Sequence, residues 1–328
     1  MARRIFSGIQ PSGSIHVGNY LGAIKNWTQL QYEYESIFCI VDLHAITVPY
    51  DPRELPERVF DLAATLIAAG IDPERATLFV QSMVPEHTEL SWLLTCLTPV
   101  GMLERMTQYK EKAARQQRES VGAGLLCYPV LMAADIMLYK ADLVPVGEDQ
   151  IQHLELTREI VRKFNRLFGE TFPEPQPHVT QAARVKALSD PTSKMSKSIP
   201  GGAVALAEEP EVIRKLVRRA VTDAGPQPAG EMSPGVKNLF LLLESFAAPD
   251  VVQKFKEDYD RGELRYVELK DAVAEAMIAG LAPIRERRAE LLARREQLRE
   301  LLNEGARCAR RIAQETMREV RERMGLQL

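Results

Sequence analysis

Ile5-Phe6-Ser7-Gly8-Ile9-Gln10-Pro11-Ser12-Gly13-Ser14-Ile15-His16-Val17-Gly18-Asn19-Tyr20-Leu21-Gly22-Ala23 decides the fold. A short apolar strand passes through a turn of glycine, proline and serine into a helix. Ser12 and Ser14 offer N-cap oxygens, and Leu21, Ile24 and Leu30 recur at helical spacing. In a strand, small-residue turn and helix, the backbone N–H groups at the helix start can face a phosphate. Gly8, Gly13 and Gly18 let a ligand approach the main chain closely. The glycine spacing fits neither the dinucleotide fingerprint nor the Walker loop, and no lysine follows the last glycine.

Working outward, Ile37-Phe38-Cys39-Ile40-Val41 is a continuous apolar run, as in a parallel strand covered on both faces. It ends in Asp42 and His44, two ionisable groups at a strand's carboxyl end, where open α/β sheets keep their crevice. Pro52 to Ala69 reads as a helix closed by Gly70, Ala76 to Gln81 as a third strand, and Glu89 to Leu97 as a helix that exposes Trp92. This alternation predicts an α/β fold with a doubly wound parallel sheet. Met102 to Val121 is polar and basic, with Arg105, Lys110, Lys112, Arg115 and Arg118. It suits either an inserted charged loop or a solvated helix face.

Leu125 to Tyr139 is almost wholly apolar. With Pro129 at the first helical position, Tyr128, Met132, Asp135, Ile136 and Tyr139 share one face. Asp135 is a lone carboxylate there, and burying it unpaired costs several kcal/mol. It therefore needs a donor, either a protein group or a ligand N–H, and the apolar walls favour an aromatic ligand. Ala141 to Gln150 is a short strand ending in polar groups at the start of a helix, and Phe172 to His178 reads as a loop. Beyond Pro210 the chain looks all-helical, with a long helix or a pair broken near Pro283 and an apolar stripe after Gly305. Arginine-rich faces in this half suit RNA phosphates or simple solvation.

The 328 residues allow two domains, and a net charge of -3 excludes a protein coated in positive charge. The four cysteines are scattered without zinc-ligand spacing, which suits a reducing cytoplasm. No apolar signal region or membrane-spanning run is present, so no membrane partner is expected.

Two motifs carry a resemblance. His16-Val17-Gly18-Asn19 resembles the His-Ile-Gly-His motif of class I aminoacyl-tRNA synthetases, with valine for isoleucine and asparagine for the last histidine. Lys194-Met195-Ser196-Lys197-Ser198 is the second signature of that family, downstream in the correct order. The short chain narrows the resemblance to the tyrosine and tryptophan branch. Phe6 to Gly13, Cys39 to Ala45, Met132 to Ile136 and Val144 to Gln150 make it similar to the bacterial tryptophan enzymes nearly end to end.

The resemblance implies a Rossmann-like catalytic domain over 1–205, with an inserted segment at about 105–186 completing the amino-acid pocket. It implies an all-helical anticodon-recognition region over 206–328, whose last helix packs back on the catalytic domain. It further implies ATP with Mg²⁺, L-tryptophan and tRNA(Trp) as substrates and partners, a homodimer, and no resident metal. Gln10, Pro11, Ser12, Gly18 and Asn19 would touch ATP, with His16 beside the phosphates. Gly147, Glu148 and Asp149 would hold the ribose, and Val185 the adenine. Lys194, Met195, Ser196, Lys197 and Ser198 would close over pyrophosphate, with Lys194, Lys197, His16 and Gln10 nearest the chemistry. Asp135 would accept the indole N–H, with Phe6, Met132, Val144 and Val146 around the ring. Tyr128 and Gln150 would bind the α-amino group, and His44 and Lys112 are further carry-overs. Tyrosine specificity, another nucleotidyltransferase, and a synthetase-derived RNA-binding regulator without catalysis are the alternatives. Both loop lysines are present, which argues against the last.

Overall fold

The computed structural model describes residues 3–107, 122–147, 150–178, 184–222 and 232–327. Five parallel strands, β1 (Arg4–Ile9), β2 (Glu35–Ile40), β3 (Thr77–Val80), β4 (Leu143–Pro145) and β5 (Gln176–His178), form one sheet in the order β3-β2-β1-β4-β5. The strand order reverses between β1 and β4, so the crevice of this open sheet lies beyond their carboxyl ends. β5 occupies the stretch read as a loop. It is an edge strand, where Pro177 need not supply a ladder hydrogen bond.

Apolar side chains leave β2 and β3 in alternation. Phe38, Ile40, Leu78 and Val80 enter one core cluster, and Ile37, Cys39 and Phe79 enter the other. Both faces are therefore covered, as the continuous apolar runs predict. On the first face lie α1 and α3 (Leu55–Ala68). Helix α1 is built from an α turn (Val17–Asn19), a wide π turn (Tyr20–Ile24) and an α segment (Lys25–Leu30). A four-residue helix, α2 (Asp42–Ala45), follows β2. On the second face lie α4 (Glu86–Leu97), α6 (Ala123–Leu138) and α7 (Ile151–Phe168), with the short α5 (Val100–Glu104) beside them. Helices α8 (Pro210–Arg218), α9 (Pro234–Phe246), α10 (Pro249–Asp260), α11 (Tyr266–Ala293) and α12 (Arg295–Arg323) complete the chain.

Three residues that the sequence reading sets at helix limits lie inside helices. Helix α6 begins at Ala123, so Pro129 lies inside it rather than at its start. Helix α11 runs unbroken through Pro283, and the break falls at Arg294, the residue between α11 and α12. Gly305 lies inside α12 and marks a crossing, not an end. Leu298 and Leu302, before it, belong to the first core cluster, while Ala306, Ala309, Ala313 and Met317, after it, belong to the second. Helix α12 thus passes over edge strand β3 from one face of the sheet to the other. A Cβ on Gly305 would stand 1.9 Å from the Leu78 carbonyl oxygen, so a side chain of any size is excluded. The crossing also covers an edge that would otherwise be free to pair with another chain.

Gly305→Ala removes a helical glycine, which by propensity alone stabilises by up to about 1 kcal/mol. The clash with a strand backbone reverses that sign, and overpacking of this kind costs about 1–3 kcal/mol. The variant should unfold at lower urea concentration than the parent protein.

Candidate active site

The turn after β1 is clasped by a segment far along the chain. Val17 donates its N–H to the Val204 carbonyl at 2.9 Å, Leu206 donates to Ile15 at 2.9 Å, and His16 and Ala205 form an antiparallel bridge. The Lys194–Ser198 loop therefore sits directly over the start of α1. Its base is a small hairpin. Ala187 donates to Ser193 at 3.0 Å, Met195 to Val185 at 3.0 Å, and Lys186 pairs with Lys194. Asp190 accepts from the Thr192 and Ser193 hydroxyls, both at 2.6 Å, and these bonds hold its carboxyl below the usual range. Asn238 of α9 braces the hairpin, accepting from the Lys186 N–H at 2.8 Å and donating to its carbonyl at 3.0 Å.

Met195 is only 2 % exposed and belongs to the same core cluster as Val17, Val185 and Val204. A Cβ on Gly18 would meet the Met195 Cβ and the His16 ring, each at 3.1 Å. Met195 is thus a peg that seats the loop, and Val185 likewise turns its side chain into the core. Lys194, Lys197 and Ser198 stay exposed, and Ser196 bonds Ser198 through their hydroxyls at 2.8 Å.

The N-cap of α1 is His16, not Ser12 or Ser14. Its Nδ1 accepts from the Asn19 N–H at 3.2 Å, while the Asn19 Oδ1 accepts from the His16 N–H at 3.3 Å, a reciprocal capping box. Burial first, and then the charges of Lys197 and Lys194, push the His16 imidazole down to about 4. It is neutral at pH 7 with Nδ1 engaged as acceptor, so its proton sits on Nε2 and can be donated to an anion. The carboxamide –NH₂ of Asn19 is not used by the cap and offers a second donor. Gln10 and Ser12 are exposed beside this turn, Pro11 is buried, and the Lys197 Nζ lies 3.1 Å from where a Cβ on Gly13 would stand.

A second constellation lies beyond the carboxyl ends of β2 and β3. Asp135 on α6 is 2 % exposed, and the donors it needs are supplied by the protein. Its Oδ1 accepts from Gln81 Nε2 at 2.7 Å and bonds His87 Nδ1 at 2.6 Å, and its Oδ2 bonds His44 Nε2 at 2.8 Å. Burial alone would raise Asp135, yet the bonds from His44 and His87 outweigh it and hold the carboxyl below the usual range. His87 Nε2 in turn bonds the Tyr139 hydroxyl at 2.7 Å. A carboxylate oxygen has two acceptor directions, so Oδ1 is filled and Oδ2 keeps one.

Around this acid, Phe6 is buried and stacks on Tyr139 with ring centroids 5.5 Å apart, and Val144 and Val146 are buried in the same cluster. Met132 is half-buried there. Tyr128 bonds His153 at 2.7 Å and meets the His44 ring edge-on, so its hydroxyl is already engaged. Gln150 donates its backbone N–H to the exposed Gly147 at 2.9 Å. Glu148, Asp149 and Lys112 lie outside the described residues, as do Lys110, Arg115 and Arg118. Among the described residues, no group of three or more His, Cys, Asp or Glu could hold a metal ion.

Gln81, His87 and His153 were not anticipated. The signal for the first two was present, since Gln81 ends a parallel strand and His87 opens the helix after it. That is the same carboxyl-end position that made His44 a candidate.

Residues 2–282 match the model of the class I tRNA synthetases for tryptophan and tyrosine (W and Y). The chain belongs to this family. The synthetase is 50 % identical over 329 residues to a tryptophan–tRNA ligase of Clostridium perfringens, covering 98 % of this chain and 97 % of that one. It is 47 % identical to one from Caldanaerobacter subterraneus, covering 99 % and 98 %. Its fold superposes on the tryptophanyl-tRNA synthetase of Campylobacter jejuni complexed with ADP and tryptophan, with a TM-score of 0.87, 36 % identity and coverage of 98 % and 99 %. A tyrosyl-tRNA synthetase from Aeropyrum pernix shares the fold at a TM-score of 0.68 and 21 % identity.

The His16 environment is directly measurable. Titration followed by NMR should place its midpoint near 4, and Lys197→Ala should move it upward by removing the lysine charge that acts on it more strongly. An unchanged midpoint in that variant would separate the two motifs.

Proposed function

We propose that this synthetase charges tRNA(Trp): it activates L-tryptophan with ATP and passes the aminoacyl group to the 3′ end of the tRNA. The observation that carries the reading is the clasp of the first signature onto residues 204–206, just beyond the second, which sets two cationic side chains beside a neutral imidazole donor at a helix start. Whole-length relatives named tryptophan–tRNA ligases support the choice of amino acid. An apolar pocket with one remaining acceptor direction at Asp135 Oδ2 suits an indole N–H, which needs only an acceptor, better than a phenol, which needs more.

In activation, a tryptophan carboxylate oxygen bonds to the α-phosphorus as the bond to the bridging oxygen breaks, and pyrophosphate leaves. No protein nucleophile is required, so positioning and charge stabilisation do the work. Negative charge grows on the pyrophosphate, where Lys194, Lys197, the His16 Nε2–H and the Asn19 amide are the donors available. Mg²⁺ enters with ATP as the counterion of its phosphates. Gln10 and Ser12 flank the nucleotide, and Gly147 with Glu148 and Asp149 completes the ribose side. Phe6, Met132, Val144 and Val146 wall the indole, while Tyr128 and Gln150 serve the α-amino group.

The helical region 206–328 is assigned to the anticodon end of the tRNA. The protein is a homodimer in this reading, and the exposed face of α4 and α5, with Trp92 at 67 % exposure, supports that. Among the described residues, no helix is long and apolar enough to cross a membrane.

ATP–pyrophosphate exchange should depend on tryptophan and run at background with tyrosine. Lys197→Ala should slow it by about 10²–10³-fold, the usual loss for one well-placed donor to a developing anion, with tryptophan binding retained. Exchange driven equally by tyrosine would overturn the choice of amino acid. Near-parental exchange in the variant would overturn the role of the loop.

A further inference from the structure

Three protein donors converge on the Asp135 carboxylate, and they are distributed unequally. Gln81 and His87 fill both acceptor directions of Oδ1, while His44 takes one direction of Oδ2. His87 is fully buried and tilted against the Phe79 ring at 5.8 Å and the Tyr139 ring at 5.4 Å. It touches no cleft. Its ring has two nitrogens and two fixed partners, the Asp135 Oδ1 on Nδ1 and the Tyr139 hydroxyl on Nε2. A neutral imidazole carries one proton. With that proton on Nε2, a bare nitrogen lone pair would face a carboxylate oxygen at 2.6 Å, which is repulsive. With it on Nδ1, both contacts are good, provided Tyr139 donates its O–H to Nε2. The Tyr139 phenol is raised well above its ordinary value, chiefly by burial, so the O–H is there to be donated.

We propose that His87, with its tautomer fixed by Tyr139, is the positioning residue that gives Asp135 its selectivity. By saturating Oδ1 together with Gln81, it leaves Oδ2 as the one oxygen able to receive a ligand N–H. Without His87, Oδ1 regains an acceptor direction and the carboxylate can rotate about its terminal torsion, so the direction offered to the ligand is no longer unique. The proposal rests on the reading of Asp135 as the indole acceptor and concerns how that acceptor is aimed.

The test compares tryptophan with 3-benzothienylalanine, an isostere with sulfur in place of the indole N–H, in ATP–pyrophosphate exchange. The parental enzyme should prefer tryptophan at least tenfold in kcat/KM, the worth of one hydrogen bond to a buried charge. Tyr139→Phe and His87→Leu should each remove most of that preference by raising the KM for tryptophan, with the KM for ATP unchanged within about twofold. His87→Asn, whose amide reaches where Nδ1–H stood, should retain most of it.

Ring ¹⁵N shifts of His87 should show the proton on Nδ1 in the parental protein and a mixture of tautomers in Tyr139→Phe. If the parental enzyme shows no preference, the Asp135 reading itself fails. If it shows the preference and Tyr139→Phe keeps both the preference and the Nδ1–H tautomer, the positioning role of His87 is refuted. Should His87→Leu not fold, Tyr139→Phe, which loses a single oxygen, decides the matter alone.

Discussion

The backbone clasp of Ile15 and Val17 onto Val204 and Leu206 is the constraint on which the site depends. Two stretches far apart in the chain become one surface because main-chain groups, indifferent to side-chain identity, pair across them. What the side chains add is seating. Met195 fills the space that Gly18 leaves by having no Cβ, and Asn238 holds the far end of the hairpin through both groups of one peptide unit. The exposed lysines are then carried on a braced support rather than on a free loop, and the separation of their charges from the helix start is set by packing.

The fold class was legible because its evidence is periodic. Continuous apolar runs at β2 and β3 require cover on two faces, and the two core clusters supply it. The misread boundaries all involve residues whose local preference was overruled by tertiary context. Pro129 and Pro283 lie inside helices because one lost hydrogen bond and a local clash cost less than breaking apolar helices whose neighbours bury Leu125, Val130, Leu281 and Ile284. Gly305 reads as a stop until the strand carbonyl pressed against it is seen. β5 is three residues long and contains proline, so no periodicity could announce it. At the site, the sequence exposed Asp135 as a buried acid needing donors but not which donors, since Gln81, His87 and His44 come from other elements. Only the carboxyl-end rule could have gathered them.

Helix α12 joins the two halves of this picture. It crosses the sheet edge at Gly305, and its later turns pair with the helix that carries His87. Arg310 reaches Glu86, the neighbour of His87, at 3.1 Å, and Arg321 grips Glu89 through both carboxylate oxygens at 2.6 and 2.7 Å. Lys140, next to Tyr139, bonds Glu319 at 2.7 Å. The exposed members of this set contribute little stability singly. Their placement matters more, because both ends of the Asp135–His87–Tyr139 chain are tied to one rigid helix. A displacement of α12 would move the start of α4 and the end of α6 together.

The electrostatics of the two constellations are opposed, and that opposition suits the chemistry. At Asp135 an ionised acid is met by three protein donors and kept from water, which fixes a negative site for an N–H. At His16 the charges of Lys197 and Lys194 add to the effect of burial, and the imidazole responds by staying neutral. A polyphosphate arriving there removes the repulsion between Lys194, Lys197 and any proton on His16, so binding the anion and raising the proton affinity of the imidazole are one event seen from two sides. A site that is unfavourable to cations when empty and favourable when filled spends its binding energy on the charged leaving group, where the reaction needs it.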